Sequence, residues 1–190
     1  MSVAARRSEP PQRLFAFLRA INVGGHVVTM EALRKYFVAL GFKNVETFIA
    51  SGNVIFEAPS KDAAALQGRI EAHLRKALGY EVRTFLRTGQ EIAAIVRYQA
   101  FKPAQIEAAA ALNVAFLDQP SKAAPTKALL AMKTQVDDFH VHGREAYWLC
   151  KTRQSESTFF KVGFEKALGV PVTVRNMNTI VRLEARYGRS

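Results

Sequence analysis

Residues 14–57, LFAFLRAINVGGHVVTMEALRKYFVALGFKNVETFIASGNVIFE, leave this chain few folds to choose from. Residues 14–18 are a compact apolar run, short enough for a buried strand rather than a helix. Asn22, Val23, Gly24 and Gly25 interrupt the run. Paired glycines accept positive φ and bring backbone N–H groups close to whatever binds there. Thr29 is placed to cap the next helix. In that helix Met30, Leu33, Phe37 and Leu40 recur at three- and four-residue spacing, with Arg34 and Lys35 outside the stripe. Gly41 stands where a helix ends in the left-handed conformation. Residues 45–50 and 53–56 are rich in β-branched and aromatic side chains, and only Ser51 and Gly52 separate them, which predicts a β-hairpin. The first half of a β-α-β-β-α-β unit is then in place.

The remainder completes that unit and repeats it. Ser60 is expected to cap a helix running to Leu78, with Leu66, Ile70 and Leu74 as its apolar stripe and Gly79 as its end. Residues 81–87 alternate Val82, Thr84 and Leu86 against Arg83 and Arg87, the pattern of a half-buried strand. A connecting helix follows through Ile92, Ile95 and Val96, and residues 99–103 read as a linker. In the second half, residues 112–118 are expected to form a strand and 121–133 a helix. Residues 139–141 and 146–150 make a hairpin around His142, Gly143 and Arg144. Residues 157–168 form a helix, 172–174 a closing strand, and Asn178 caps a terminal helix. The sequence Lys76-Ala77-Leu78-Gly79 recurs as Lys166-Ala167-Leu168-Gly169, each copy followed by a Val-containing strand. The expected fold class is α+β: two tandem ferredoxin-like (β-α-β-β-α-β) units, with antiparallel sheets and helices packed on one face. Residues 13–98 make the first unit plus the connecting helix, 104–190 the second unit plus the terminal helix, and 1–12 a disordered tail.

Composition narrows the function. In 190 residues, 49% apolar content is ample for a packed core. No apolar run approaches the roughly 20 residues that span a bilayer, and residues 1–13 lack the apolar centre of a signal peptide. A membrane role is not expected. The single cysteine, Cys150, excludes an internal disulfide and suits a reducing cytoplasm. It lies in a strand, where a packed thiol is expected rather than a nucleophile. The formal net charge is +11, and the first 100 residues hold 14 basic and 8 acidic side chains, so the surplus is spread over both halves. Such a field favours polyanions, nucleic acid or a phosphorylated small molecule; the plain alternative is a soluble basic protein without such a partner.

Several short motifs carry a family likeness. Arg19-Ala20-Ile21-Asn22-Val23-Gly24-Gly25, the spacing to Met30, the Leu40-Gly41-Phe42 turn, Ala50-Ser51-Gly52-Asn53-Val54 and Arg175-Asn176-Met177-Asn178-Thr179 together resemble the bacterial domain-of-unknown-function-1697 family. The resemblance covers nearly everything after Arg13. It implies a cytoplasmic α+β protein of duplicated ferredoxin-like form and no established activity. The chain departs from the family pattern in Ala20, where Gly is usual, and in Met177, where Trp is usual. It also departs in residues 153–157, where a glycine- and lysine-bearing Ser motif is usual and Glu156 here places a negative charge.

The polar residues of these motifs fall at strand ends and helix starts, where ligands meet backbone N–H groups. Arg19, Asn22, Gly24, Gly25, Ser51, Asn53, Arg175, Asn176 and Asn178 form the candidate anion-binding set, combining Arg forks, small polar groups and a helix N-terminus. Taken singly, Asn22, Ser51 and Asn178 also read as loop and cap residues that serve their own backbone. Neither a phosphate-binding Gly-x-x-x-x-Gly-Lys loop nor a dinucleotide Gly-x-Gly-x-x-Gly is present, and no cofactor is expected. His140 and His142 share one side of a strand but lack a third ligand, so no metal is expected. His26 follows the glycine loop and is expected to face solvent. Asp137 and Asp138 read as turn residues rather than a catalytic pair, and no catalytic set can be assembled. Aromatics on the hairpin strands raise single-stranded RNA binding, although Ile55 interrupts the alternation and the core is their expected place. The expected function is a polyanion-binding (nucleic acid) module without catalysis. The alternative is an enzyme or binder for a small phosphorylated or carboxylated metabolite.

Overall fold

The computed structural model describes residues 11–22, 25–49, 52–59 and 62–188. Its first elements are β1 (Gln12–Leu18), α1 (Met30–Ala39), β2 (Lys43–Thr47), β3 (Asn53–Ala58), α2 (Ala63–Leu78) and β4 (Thr84–Thr88). Two helices follow, α3 (Gly89–Arg97) and α4 (Pro103–Glu107). Then come β5 (Ala111–Phe116), α5 (Ala123–Leu130), β6 (Asp137–His142), β7 (Glu145–Cys150), α6 (Thr158–Leu168), β8 (Thr173–Asn176) and α7 (Met177–Tyr187). The chain divides after Thr88 into two compact units, so α3 falls in the second. Each unit holds one four-stranded sheet, ordered β2-β3-β1-β4 in the first and β6-β7-β5-β8 in the second. All the pairings are antiparallel. The same layout is therefore built twice, an α+β architecture with a repeated sheet.

In the first unit β1 pairs on both sides, and its residues from Leu14 to Leu18 are all buried. Leu14, Ala16 and Leu18 face a core filled by Leu33 and Phe37 of α1 and by Leu66, Ile70 and Leu74 of α2. Phe15, Phe17, Ile55 and Phe85, on alternate positions, are buried too. So is Arg87, which the alternation placed toward solvent. It is 1% exposed, and its Nη1 donates to Leu86 O at 2.8 Å. In the second unit Ala115, Phe139, Ala146, Trp148 and Cys150 pack against Leu129 of α5 and Phe159, Phe164 and Leu168 of α6.

Local chemistry explains the helix ends. Thr29 accepts the Ala32 N–H at 3.1 Å and begins α1 as expected. Asp62 accepts the Ala65 N–H at 3.0 Å and begins α2, whereas the expected cap, Ser60, lies outside the described residues. The repeated Lys-Ala-Leu-Gly has a common cause. Gly79 (φ 81°) and Gly169 (φ 68°) end α2 and α6 in the left-handed conformation, each donating its N–H to the carbonyl four residues back. The terminal helix corrects one expectation. Its cap is Asn176, whose side chain accepts the Asn178 N–H at 2.9 Å, and Asn178 is the second residue of the helix. The first hairpin corrects another. β2 stops at Thr47, and Ile49 adopts φ 51°, which a β-branched residue tolerates poorly, so the connection is longer than two residues. The short helix α4 occupies the stretch just after the expected linker.

Ala20 has φ 58°, in the region where a Cβ crowds the following carbonyl. That strain is worth about 1–2 kcal/mol, against about 0.5–1 kcal/mol for the extra chain freedom of glycine. Ala20→Gly is therefore expected to stabilise the protein and raise its thermal midpoint by about 1–4 °C. A calorimetric scan checks this, and an unchanged or lowered midpoint would refute the strain.

Candidate functional site

The expected anion-binding residues fall into two groups, one in each unit. In the first unit Arg19, Asn22, Gly25 and Asn53 lie around the end of β1 and the start of β3. There Leu18 N–H donates to Gly52 O, and Arg19 N–H to Arg83 O, both at 2.8 Å. Asn22 Oδ1 accepts the Val28 N–H at 2.7 Å, so this side chain closes the glycine loop upon itself. Asn53 is 1% exposed and donates from Nδ2 to Phe48 O at 3.0 Å. His26 stacks on Tyr80 with ring centroids 3.9 Å apart, and the Tyr80 hydroxyl donates to Ile21 O at 3.0 Å. Tyr80 thus holds both Ile21 and His26. Gly24 and Ser51 lie outside the described residues.

In the second unit Arg175, Asn176 and Asn178 lie at the junction of β8 and α7. Arg175 is buried and donates from Nη1 to Thr173 Oγ1 and Val174 O, each at 2.8 Å. Burial lowers its guanidinium to about 10, so it remains charged at neutral pH. Asn176 caps α7.

The other candidates belong to the packing of this unit. Cys150 is fully buried, and burial, the largest cause, raises its thiol above the ordinary value. Asp137 is not a turn residue. It is 1% exposed at the start of β6, where Trp148 Nε1–H donates to it at 2.7 Å and the Ser157 hydroxyl lies 2.9 Å from both its oxygens. Ser157 Oγ also accepts the Phe159 N–H at 3.0 Å, beginning α6. His140 and His142 both engage Tyr98. The Tyr98 hydroxyl is 2.6 Å from His140 Nε2, and its ring stacks on His142 at 4.1 Å.

A cavity of about 380 Å³ in the second unit is lined by Asn176, one of the expected anion-binding residues, and by residues outside that set. Its walls are Trp148, Phe159, Phe160 and Phe164, beside Gly163 and Val174. Gly163 (φ 73°, ψ 161°) breaks α6, and it lies in the cavity wall. Asn113, Gln154 and Asn176 supply its polar groups, and among the described residues no charged side chain lines it. Asn113 is 3% exposed. Its Oδ1 accepts Gln154 Nε2–H at 2.9 Å, while its Nδ2 has no hydrogen-bond partner. Two signals for this site stood in the sequence, an Asn inside an apolar strand and a Gly inside a helical pattern. A second concavity of about 260 Å³, in the first unit, is lined by Glu71, Arg75, Glu81 and Arg83 among others. There opposite charges pair, Arg75 with Glu81 and Arg83 with Glu71.

The model of a family described as protein of unknown function (DUF1697) matches residues 12–147. The chain belongs to that family. The match ends in β7, so the DUF1697 segment contains Asn113 but neither α6 nor the motif of residues 175–179. The solved structure of the conserved bacterial protein SP0830 from Streptococcus pneumoniae resembles this DUF1697 protein in fold. It has a TM-score of 0.71 and 20% identity, over 93% of this chain and 98% of that one. Among curated proteins no match is found.

Burial, then the neighbouring His142, hold the His140 imidazole below its ordinary 6.5, with Asp138 acting weakly the other way. The folded DUF1697 protein therefore binds fewer protons here than the unfolded chain. Stability present above pH 6.5 is lost as pH falls through the lower folded value. Urea midpoints followed from neutral pH to below that value are expected to drop more for the wild type than for His140→Gln, whose amide keeps an acceptor for Tyr98. Parallel curves would refute the shift.

Proposed function

We propose that this DUF1697 protein is a binding module for a polyanion, most readily a nucleic acid, acting without catalysis in the cytoplasm. The observation that carries the reading is the charge of the helical layer of the second unit. Leu129 of α5 and Phe159 and Phe164 of α6 pack into one core on the same side of their sheet. Around those helices Lys122, Lys127, Lys151, Arg153, Lys161 and Lys166 are all exposed. Against them stand exposed Glu156 and half-buried Glu165, whose carboxylate accepts the Val172 N–H at 3.1 Å. Cations held in water without carboxylate partners release counterions when phosphates replace them, which supplies most of the affinity for a phosphate backbone.

The strand order, with the first strand of each unit central and the second at an edge, supports the finer ferredoxin-like description of both units. The side chains able to do covalent chemistry favour binding over catalysis: Cys150 and Ser157 are buried, and each is hydrogen-bonded within its own unit. Among the described residues the cavity beside α6 has no cation to meet a phosphate or carboxylate, so the charged-metabolite alternative gains no support there.

Labelled single-stranded RNA and duplex DNA, titrated from about 50 to about 200 mM salt, test the proposal. Binding is expected to fall steeply with salt. Reversal of three exposed cations together, Lys127→Glu, Lys161→Glu and Lys166→Glu, is expected to reduce the slope for single strands by about 2. Absence of binding at the lowest salt, or an unchanged slope in the triple variant, would overturn it.

A further inference from the structure

The cavity at the break in α6 holds a polar group with nothing to bind. A buried amide donor left unpaired costs about 1–3 kcal/mol, and native proteins rarely keep one without a use. Asn113 Nδ2 is such a donor, itself closed off from solvent, and its residue lies in the wall of a cavity. An apolar residue at this inward position of β5 would have sealed the sheet, as Ala115 does two residues on. Gln154 fixes the orientation of the Asn113 amide by donating to Oδ1 from Nε2, which leaves Gln154 Oε1 as an acceptor. A donor and an acceptor on neighbouring amides are what the edge of a heterocyclic base requires.

The walls fit the same ligand. Trp148, Phe159 and Phe164 meet edge to face around the cavity, with centroid separations of 5.1 Å for Trp148–Phe159 and 5.0 Å for Phe159–Phe164. Phe160 is 56% exposed, an aromatic ring standing in solvent at the cavity wall. Exposed aromatics beside a concave apolar wall are the usual platform for a planar ring. Among the described residues the lining carries no charge, which suits a neutral group. A volume of about 380 Å³ is at the small end for ligand sites and is large enough for one nucleoside.

We infer that this cavity is a binding site for a nucleobase, whose ring lies against Phe160 and Trp148 and whose edge takes the Asn113 Nδ2 donor. The base arrives either on a free nucleoside or as one residue of a single strand. The site differs in chemistry from the cationic surface described above, because a nucleoside carries no phosphate to meet those lysines.

Trp148 is the single tryptophan of the chain, so its indole N–H gives one nuclear magnetic resonance signal from the cavity wall. The full-length protein is titrated with uridine, with adenosine and with a short oligouridylate while that signal is followed. A saturable shift with a nucleoside, insensitive to salt, is expected. Asn113→Leu keeps the volume and removes the donor, and should weaken binding about tenfold. Should that variant fail to fold, Val174→Phe narrows the cavity from a side chain that is 39% exposed, and it should abolish the shift. A shift seen only with the oligouridylate, and lost in the variants, places the base within a strand. No saturable shift with any of the three probes overturns the inference, as does a shift that both variants retain. Oligouridylate binding that is lost with salt and leaves the indole signal unmoved also overturns it, while leaving the cationic surface intact.

Discussion

Much of the second unit depends on one buried carboxylate. Asp137 stands at the start of β6 with 1% of its surface exposed, and an ion in that position is tolerable only if donors replace its water. They come from three places: the indole of Trp148 on β7, the hydroxyl of Ser157 before α6, and the hydroxyl of Thr134 in the turn before β6. Each has a further duty. Trp148 is a core ring and a wall of the cavity, Ser157 caps α6, and Thr134 accepts the Asp137 N–H at 3.0 Å. Losing the carboxylate would release the strand edge, the helix start and the indole together. Losing one donor would leave the carboxylate short of a hydrogen bond, typically at a cost of about 1–3 kcal/mol. The wall of the cavity is therefore held by polar bonds behind it, and its front is free to stay apolar.

The two units share a strand order but not a helical layer. In the first, helices of 10 and 16 residues lie over the sheet, and Leu33, Phe37, Leu66, Ile70 and Leu74 fill the space beneath them. In the second, the equivalent helices have 8 and 11 residues, and the longer one is broken at Gly163. A shorter and broken layer covers less sheet. The least covered part lies along β8, where Val174 is 39% exposed and Asn176 pairs with Asn113. One plan thus yields a sealed core in one copy and a cavity in the other, and the difference is the length and continuity of two helices.

The sequence reveals most where the cause is local. The Thr29 cap, the left-handed Gly79 and Gly169 and the stripe of Leu66, Ile70 and Leu74 depend on residues within one or two turns, and all are legible. The α+β order is legible for the same reason, since each element announces itself by its own periodicity. The misreadings occur where a distant partner decides. Asp137 and Asp138 look like a turn because nothing nearby in sequence shows an indole and a hydroxyl converging on the first of them. Asn178 looks like a cap until backbone angles place Asn176 at the helix boundary. Arg87 alternates correctly for a half-buried strand, yet its position is buried. Asn113 is the most instructive case. Its strand was recognised and its polarity was visible, but an unmet donor can be seen only once every neighbour is in place.

The cationic surface and the cavity differ in range and in what they can discriminate. Exposed lysines act over roughly a Debye length, about 8–10 Å at physiological salt, and they recognise negative charge regardless of its chemistry. The cavity acts at contact distance and recognises shape and one hydrogen-bond edge. Lys161 follows Phe160 directly in α6, and Arg153 precedes Gln154, so exposed cations adjoin two residues of a lining that is itself uncharged. A ligand that is purely anionic gains nothing from the cavity, and a purely apolar one gains nothing from the lysines. Both are satisfied by a molecule with a charged chain and a neutral ring. On the proposed reading, single-stranded nucleic acid would be such a molecule, and a duplex, whose rings are stacked away inside, would not.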